Sequence, residues 1–230
     1  MPSIAVIGSS GYVGSALFAG LVKSSIDNVV GVTRENYEEF KTQEFDIIIN
    51  CAMPSGRFWA KNNPQEDFTE TVKKTADLLY GWKYKKFIQI STVSARCQLD
   101  TVYGRHKLAA ESLCNFDNNL IVRLGALYSQ DMKKGVLLDM LQGKKVFVDG
   151  ASRYSFIDVS FCASWIAKNL EREGIIELGG KNAIAIADVA KHIGANIEFE
   201  GELNHQDIEN PQPDFPEASE VLGFMDSLKK

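Results

Sequence analysis

The chain contains 230 residues, of which 45% are hydrophobic and 24% are charged, and it carries a formal net charge of -5. These values are ordinary for a globular protein of one domain, or of one domain with a small appendage, and they argue against global disorder and against a nucleic-acid partner. The amino terminus has no signal-peptide pattern, and no apolar stretch approaches the roughly 20 residues that span a bilayer, so we expect a cytoplasmic protein with no membrane segment.

The first half of the chain alternates strand patterns with helix patterns. Short apolar or β-branched runs predict strands at 3–8, 29–33, 46–51, 86–91 and 119–124. Apolar residues at helical spacing predict helices at 12–23, 67–82 and 102–113. Strands separated by helices indicate parallel βαβ units, so residues 1–125 are expected to form a Rossmann-type, doubly wound parallel sheet of the α/β class.

Beyond residue 125 the alternation becomes less regular. The pattern predicts helices at 135–141, 160–170, 187–193 and 217–222, and strands at 145–148, 175–178 and 196–199. The segment 156–159 leads into the helix at 160–170. We interpret residues 126–230 as a smaller, substrate-facing portion, with late segments that return to the core sheet.

A glycine-rich loop joins the first predicted strand to the first predicted helix. Gly8, Gly11 and Gly14 recur at a spacing of three, which suits a sharp turn, a close backbone approach to a pyrophosphate and tight packing of helix on sheet. The start of the helix then offers backbone N–H groups and the positive end of its dipole to the phosphates. We therefore predict a dinucleotide site that also includes Ser10, Tyr12 and Val13.

The end of the second predicted strand indicates which dinucleotide is bound. A carboxylate at this point would bond the ribose hydroxyls of NAD, but the chain has Thr33 and Arg34. The planar guanidinium of Arg34 suits a 2′-phosphate, so the sequence favours NADP. Glu35 follows directly, so NAD stays open as the alternative.

A tyrosine and a lysine four residues apart, Tyr103 and Lys107, lie early in the predicted helix 102–113. Residues at this spacing share one helix face, and a nearby ammonium lowers the pKa of a phenol. The pair can therefore act as acid and base in a carbonyl–alcohol conversion. Upstream, the predicted strand 86–91 ends beside Thr92 and Ser94. We expect Thr92, or else Ser94, to bond the substrate oxygen, because open α/β sheets bind ligands at the carboxyl ends of their strands.

Together these motifs resemble the short-chain dehydrogenase/reductase superfamily, in its extended branch that modifies nucleotide sugars. The matching stretches are GSSGYVG at 8–14, NCA at 50–52, IST at 90–92, YGRHKLAAE at 103–111 and SFIDVSFCASWIA at 155–167. The resemblance implies a catalytic triad of Thr92, Tyr103 and Lys107. It also places Gly8, Gly11, Gly14, Arg34, Asn50 and Ala52 at the cofactor, with Lys107 gripping the nicotinamide ribose.

The chain departs from the family pattern at several positions. Thr71 stands where relatives often have asparagine, and Val93 and Ser94 stand where the dehydratases have acidic residues, which disfavours a dehydratase. Arg153 is displaced by one position from the diphosphate-binding arginine of many relatives. Arg57 follows the third predicted strand and is a further candidate for substrate binding, although plain packing explains it equally well.

The leading functional hypothesis is an NADP(H)-dependent reductase or dehydrogenase that acts on a keto group of a sugar, with a nucleotide-linked sugar as the expected partner. The alternatives are a nucleotide-sugar epimerase with tightly held NAD and a non-catalytic NAD(P)-binding redox sensor. By analogy with relatives, the helices 67–82 and 102–113 could form a homodimer contact. The four cysteines and three histidines follow no metal-ligand spacing, so we expect no metal.

Overall fold

A computed structural model describes residues 2–24 and 28–228, and the chain divides into two compact units. The first unit consists of Met1–Arg123 and Ser160–Ile176, and the second consists of Leu124–Val159 and Glu177–Lys230. The chain therefore leaves the first unit after Arg123 and later returns to it.

A six-stranded parallel sheet with flanking helices organises the fold and confirms the Rossmann-type prediction. Its strands lie in the order β2-β1-β3-β4-β5-β9. Their bounds are β1 (Ile4–Ile7), β2 (Val29–Val32), β3 (Glu44–Asn50), β4 (Lys83–Thr92), β5 (Leu120–Leu124) and β9 (Gly174–Leu178). Ile47, Ile48 and Ile49 in β3 are all buried, as expected for a central parallel strand covered on both faces.

The direction in which strands are added reverses between β1 and β3. β1 pairs in parallel with β2 on one side and with β3 on the other, so that Ile4 lies opposite both Val29 and Ile47. The loops that follow β1 and β3 therefore run in opposite directions from this point. In open α/β sheets the crevice at such a reversal, outside the carboxyl ends of the strands, is where ligands bind.

Helices accompany this sheet, and those at 12–23, 102–114 and 159–168 lie close to their predicted bounds, whereas those at 37–41, 57–62 and 94–97 were not predicted. They are α1 (Tyr12–Lys23), α2 (Tyr37–Lys41), α3 (Arg57–Asn62), α4 (Pro64–Phe68), α5 (Lys74–Gly81), α6 (Ser94–Cys97), α7 (Val102–Cys114) and α9 (Val159–Lys168). The helix predicted at 67–82 starts earlier, at Pro64, because proline suits the first helical position. A π-helical segment, Thr69–Lys73, separates α4 from α5. No helix in residues 2–24 and 28–228 is long and apolar enough to cross a membrane.

The second unit has its own small sheets and its own core. β6 (Ala126–Tyr128) pairs in parallel with β8 (Phe156–Asp158), and β7 (Arg153–Tyr154) pairs antiparallel with β10 (Ile184–Ala185). Its helices are α8 (Val136–Leu141), α10 (Ile186–His192) and α11 (Glu220–Ser227). One apolar cluster joins these elements, with buried members that include Tyr128, Met140, Phe156, Val189 and Met225.

Two predicted strands in the second unit are wrong. The segments 145–148 and 196–199 form only one isolated parallel bridge, between Val146 and Phe199. Val146 and Val148 are buried in the apolar cluster of this unit, and Phe199 packs against it. Their apolar pattern thus reflects packing against the core and not strand pairing.

Candidate active site

The glycine loop between β1 and α1 needs glycine at two of its three positions. Gly8 has a φ of +80°, and a Cβ built on it would lie 2.8 Å from Ala52 Cα. A Cβ on Gly14 would lie 2.1 Å from the carbonyl oxygen of Gly8. The loop after β1 therefore lies directly against the loop after β3, at the reversal point of the sheet.

The start of α1 has the geometry of an anion site. No side chain caps the helix at Gly11, and the loop is closed by a hydrogen bond from Gly11 N to Gly8 O of 2.9 Å. Ser10 and Tyr12 are exposed and Val13 is half-buried. Uncapped N–H groups at a helix start, together with a backbone that only glycine allows to come so close, fit the pyrophosphate of a dinucleotide.

The turn after β2 presents Arg34 to solvent. The Asn36 side chain accepts a hydrogen bond from Thr33 N at 2.7 Å and donates one to Gly31 O at 3.0 Å, which fixes the backbone of the turn. The Arg34 side chain is 92% exposed, and its Nη2 lies 3.9 Å from Glu70 Oε2. The backbone of the turn is therefore held in place by Asn36. The guanidinium of Arg34 is exposed to solvent.

Asn50, the last residue of β3, and Ala52, two residues later, have different roles. Asn50 is buried, donates to Gln89 Oε1 at 3.0 Å and accepts a hydrogen bond from Ala52 N at 3.1 Å. Its side chain shapes the turn that brings Ala52 against Gly8. A direct contact between either residue and the cofactor stays a prediction.

The structure brings the three predicted catalytic residues together. Thr92 is the last residue of β4, and Tyr103 and Lys107 occupy the first two turns of α7. A side-chain hydrogen bond joins Thr92 to Tyr103. The Lys107 Nζ lies 5.2 Å from the centre of the Tyr103 ring and donates to the Pro54 carbonyl oxygen at 2.8 Å.

The start of α7, which carries Tyr103, is capped and closely packed. Thr101 caps the helix by accepting a hydrogen bond from Gly104 N at 2.9 Å. A Cβ on Gly104 would lie 2.1 Å from the Gln98 carbonyl oxygen, so the helix rests directly on the backbone of the preceding segment. Sequence analysis did not single out Gly104, because its requirement arises from a neighbour that only the folded chain provides.

Comparison with known proteins identifies the family. The model of the NAD dependent epimerase/dehydratase family matches residues 4–179, which is well over half of the chain. The chain belongs to this family. It is therefore an NAD(P)-dependent enzyme of the extended short-chain dehydrogenase/reductase type, as its motifs predict. No curated protein matches the chain in sequence.

Solved structures share the fold at low sequence identity. A dTDP-4-dehydrorhamnose reductase from Bacillus anthracis, in complex with NADP, has a TM-score of 0.77 and 15% identity and covers 100% of both chains. A UDP-glucose 4-epimerase from Thermus thermophilus, in complex with NAD, has a TM-score of 0.75 and 16% identity over 99% of each chain. A UDP-glucuronic acid 4-epimerase from Bacillus cereus has a TM-score of 0.69 and 22% identity, covering 96% of this chain and 93% of the other.

Burial controls the protonation of the tyrosine in this epimerase/dehydratase family member. Burial raises the pKa of Tyr103 to about 12, and the Asp67 carboxylate also acts to raise it, whereas the positive charge of Arg57 and the hydrogen bond with Thr92 lower it. Arg57, and not Lys107, is thus the leading cation acting on the phenol. The sequence predicted instead that the Lys107 ammonium would lower the pKa of the phenol. The protonation state of Lys107 explains this difference.

Lys107 titrates near neutral pH, so it is only partly charged there. Burial lowers the pKa of its ammonium to about 7, although the carboxylates of Asp67 and Glu111 act in the opposite direction. In the unfolded chain the same group titrates near 10.5. Between these values the unfolded state binds more protons than the folded state, so the free energy of unfolding must rise with pH.

We expect a Lys107→Met variant to lose this increase in the free energy of unfolding with pH. From pH 7 to pH 9, Lys107 should increase the free energy of unfolding by up to about 1.4 kcal/mol per pH unit, because its buried charge is progressively removed. Above that window the buried Tyr103, with its pKa raised to about 12, acts in the opposite direction. Urea unfolding at several pH values measures the difference between wild type and variant. A constant difference across the window would contradict the buried-ammonium interpretation, and Lys73→Met serves as the exposed control.

The predicted substrate residues lie in different surroundings. Ser94 is buried and its hydroxyl lies in a hydrogen bond with that of Thr92 at 3.3 Å, so it supports the predicted catalytic threonine. Arg57 begins α3 and acts electrostatically on Tyr103. Arg153 lies in β7 of the second unit, where its guanidinium pairs with Asp207. A substrate contact at each of these residues stays a prediction.

Two buried polar contacts near the site were missed by sequence analysis. Glu111 accepts from Ser91 Oγ at 2.6 Å and from Arg123 through two nitrogens, at 2.7 and 3.0 Å. Asp67, fully buried in α4, lies 2.7 Å from His106 in α7. Glu111 could have been found from its place in the matched helix motif. The sequence carried no signal for Asp67, which falls in an ordinary first turn of a helix.

Thiols and possible metal ligands are further reactive groups in residues 2–24 and 28–228. The four cysteines are free thiols, and burial raises the pKa of Cys51 to about 12, which keeps that thiol protonated. In the described part of the chain, no group of three or more histidine, cysteine or acidic side chains could hold a metal ion. The catalytic roles of Thr92, Tyr103 and Lys107 stay a prediction.

Proposed function

We propose that the chain is an NADP(H)-dependent reductase or dehydrogenase acting on a keto group of a sugar, and that this sugar is linked to a nucleotide. The observation that carries the NADP preference is the exposed guanidinium of Arg34 on a fixed turn at the end of β2. A 2′-phosphate can accept paired hydrogen bonds from it, whereas NAD offers only hydroxyls at this point.

In the proposed reaction, the dinucleotide and the residues of the site have different chemical roles. The dinucleotide supplies or takes up the hydride when it is bound. In the reductive direction Tyr103 gives its phenolic proton to the substrate oxygen, which becomes an alcohol. Thr92 donates a hydrogen bond that orients that oxygen. The positive charge of Arg57, joined by that of Lys107 when the lysine is protonated, stabilises the phenolate that remains. A phenol whose pKa is raised to about 12 keeps its proton at neutral pH, which suits a proton donor.

The substrate class is supported by the site and by the neighbours. Arg57 supplies positive charge beside Tyr103, which suits a phosphate or carboxylate on the substrate. The named neighbours act on or bind dTDP- and UDP-linked sugars. Val93 and Ser94 follow Thr92 where an eliminating enzyme would need a carboxylate. Reduction of a keto group is therefore favoured over loss of water.

A nucleotide-sugar epimerase is the second candidate. The observation that favours it is the acidic surroundings of Arg34, since Glu35 follows directly and Glu70 Oε2 lies 3.9 Å away. These carboxylates would weaken the attraction for a 2′-phosphate and leave room for NAD. An epimerase oxidises and then reduces its substrate again, so it needs no net supply of reductant.

Fluorescence titration with NADPH and NADH, followed by a turnover assay, separates the two candidates. The reductase should bind NADPH tightly, exchange it freely and consume it when dTDP-4-dehydrorhamnose, the substrate class named for one neighbour, is added. NAD that copurifies and resists dialysis, together with interconversion of UDP-sugars, would favour the epimerase. Binding of neither dinucleotide would contradict both.

An Arg34→Ala variant should lose its preference for NADPH. Loss of a charge-assisted contact with the 2′-phosphate is expected to raise the Kd for NADPH by about 10- to 100-fold and to leave the Kd for NADH unchanged. Arg105→Ala is a matched control, because Arg105 is also exposed but donates to the carbonyl oxygens of Leu99 and Asp100. Equal losses for both dinucleotides would show that Arg34 does not read the phosphate.

A further inference from the structure

Glu111 is a buried carboxylate in α7 to which the proposed reaction gives no task. It lies four residues after Lys107 and eight after Tyr103, so the three side chains share one face of the helix. All three are buried, and the side chain of Glu111 is only 2% exposed. A charged group in such a place is costly unless it is paired with an opposite charge and hydrogen-bonded.

Arg123 of β5 supplies the opposite charge. Its Nη2 donates to Glu111 Oε2 at 2.7 Å, and its Nε lies 3.0 Å from the same oxygen and 3.1 Å from Oε1. The side chain of Arg123 is 12% exposed, so the ion pair is largely shielded from water. Because two nitrogens of a planar guanidinium contact the carboxylate, they fix its orientation as well as balance its charge.

Ser91 of β4 is the third member of this cluster. Its hydroxyl donates to Glu111 Oε1 at 2.6 Å, a distance typical of a hydroxyl that donates to a charged carboxylate. Ser91 is itself buried, and Thr92 follows it as the last residue of β4. The carboxylate therefore fastens α7 to the strand one residue before the threonine that bonds Tyr103.

Stability alone does not account for an ion pair at this place. Apolar side chains of similar volume often stabilise a fold as well as a buried ion pair does, because the cost of removing two charges from water offsets their attraction. Apolar side chains cannot accept a hydrogen bond from Ser91. Hydrogen bonds are directional, so bonds from Glu111 to two neighbouring strands restrict how α7 can shift along the sheet. In an active site, a shift of about 1 Å can cost about 100-fold in rate.

We propose that Glu111 is a positioning residue: its carboxylate, held by Arg123, fastens α7 to β4 through Ser91 and so keeps Tyr103 in contact with Thr92. Glu111 acts through the helix and the strand, and not on the reacting atoms. The catalytic value of the contact between Tyr103 and Thr92 rests on the proposed function. The contact itself is a property of the chain without dinucleotide or substrate, so it can be tested separately.

The direct test is Ser91→Ala, which removes the link to β4 and leaves the ion pair and every charge in place. The hydrogen bond with Thr92 lowers the pKa of Tyr103, so a weakened contact should raise the pH at which this phenol titrates. 3-Fluorotyrosine at position 103 reports that midpoint by ¹⁹F NMR in the full chain without ligands, and the fluorine makes the phenol acidic enough to titrate at lower pH. We expect the midpoint to rise, and kcat of the enzyme with its natural tyrosine to fall by about 10-fold with an unchanged Kd for NADPH.

Ser112→Ala is the matched control for this variant. Ser112 lies in the same helix, is exposed and donates to the Leu108 carbonyl oxygen, so its loss should change neither the midpoint nor kcat. If Ser91→Ala has the same midpoint and the same kcat as Ser112→Ala, the cluster only stabilises the fold and the proposal is overturned. A raised midpoint in a chain whose wild type turns over no sugar nucleotide would support the positioning role and contradict the assigned reaction.

A double variant, Glu111→Leu with Arg123→Met, tests the carboxylate itself. Loss of one partner alone would leave the other charge buried and unpaired, which can prevent folding, whereas apolar replacement of both is commonly tolerated. The folded double variant should lose about 10-fold in kcat, as Ser91→Ala does, and retain its Kd for NADPH. Wild-type kcat in this variant would show that α7 is placed without Glu111, and would likewise overturn the proposal.

Discussion

Replacement of Tyr103 by phenylalanine is expected to lower kcat by about 10²- to 10⁴-fold, the usual contribution of a positioned acid–base group. Phenylalanine keeps the ring that lies under the Lys107 ammonium, at 5.2 Å from its centre, and removes only the hydroxyl. The fold and the dinucleotide affinity should therefore be retained. Steady-state kinetics and an NADPH titration on the same preparation separate the two effects.

The matched control for this variant is Tyr80→Phe. Tyr80 belongs to α5 and is 75% exposed, so the same chemical change there should leave kcat unaltered. A Tyr103→Phe enzyme with wild-type turnover would remove the tyrosine from the mechanism. It would also revive the alternative of a non-catalytic protein that only binds NAD(P).

The raised pKa of Tyr103 gives the two directions of the reaction different pH profiles. Reduction needs the protonated phenol, which persists to about pH 12 in the chain without ligands. Oxidation needs the phenolate, so the oxidative rate should increase as the pH rises. The positive charges of Arg57 and Lys107 would allow the phenolate to form at lower pH. Lys107 has this effect only while it is protonated.

The elements that the sequence predicted well are those with local signals. α1 matches its predicted bounds because its apolar spacing and the glycine loop before it are both encoded within a few residues. The positions of Thr92 and Tyr103 at a strand end and a helix start could also be predicted from sequence. Their contact followed, since parallel strands deliver their carboxyl ends to one edge of the sheet.

The features that the sequence did not reveal depend on contacts that form only in the folded chain. The requirement for glycine at position 104 comes from the Gln98 carbonyl oxygen, which a linear pattern cannot place. The pairing of Asp67 with His106 joins residues 39 positions apart. The apolar run around Val146 suggested a strand, yet it packs into a core with only one bridge. Each of these depends on tertiary contacts that override local preference.

A Gly14→Ala variant is expected to lose dinucleotide binding, with the Kd for NADPH raised by more than about 100-fold, or roughly 3 kcal/mol. The added Cβ would lie 2.1 Å from the Gly8 carbonyl oxygen, and also 2.9 Å from the Gly8 carbonyl carbon. Both are backbone atoms, so no side-chain rotation can relieve the clash. The loop must move away from α1, which should also lower the free energy of unfolding by about 1–3 kcal/mol.

Gly223→Ala distinguishes this clash from the general effect of adding a methyl group to a helix. Gly223 lies in α11, and no atom lies within 4 Å of a Cβ built on it. The same change there should raise the free energy of unfolding by up to about 1 kcal/mol, because alanine favours the helix, and should leave NADPH binding intact. If Gly14→Ala bound NADPH as tightly as Gly223→Ala, the phosphates could not lie on the start of α1. The dinucleotide would then have to be placed elsewhere on the sheet edge, and the assignment of Arg34 to the 2′-phosphate would fail with it.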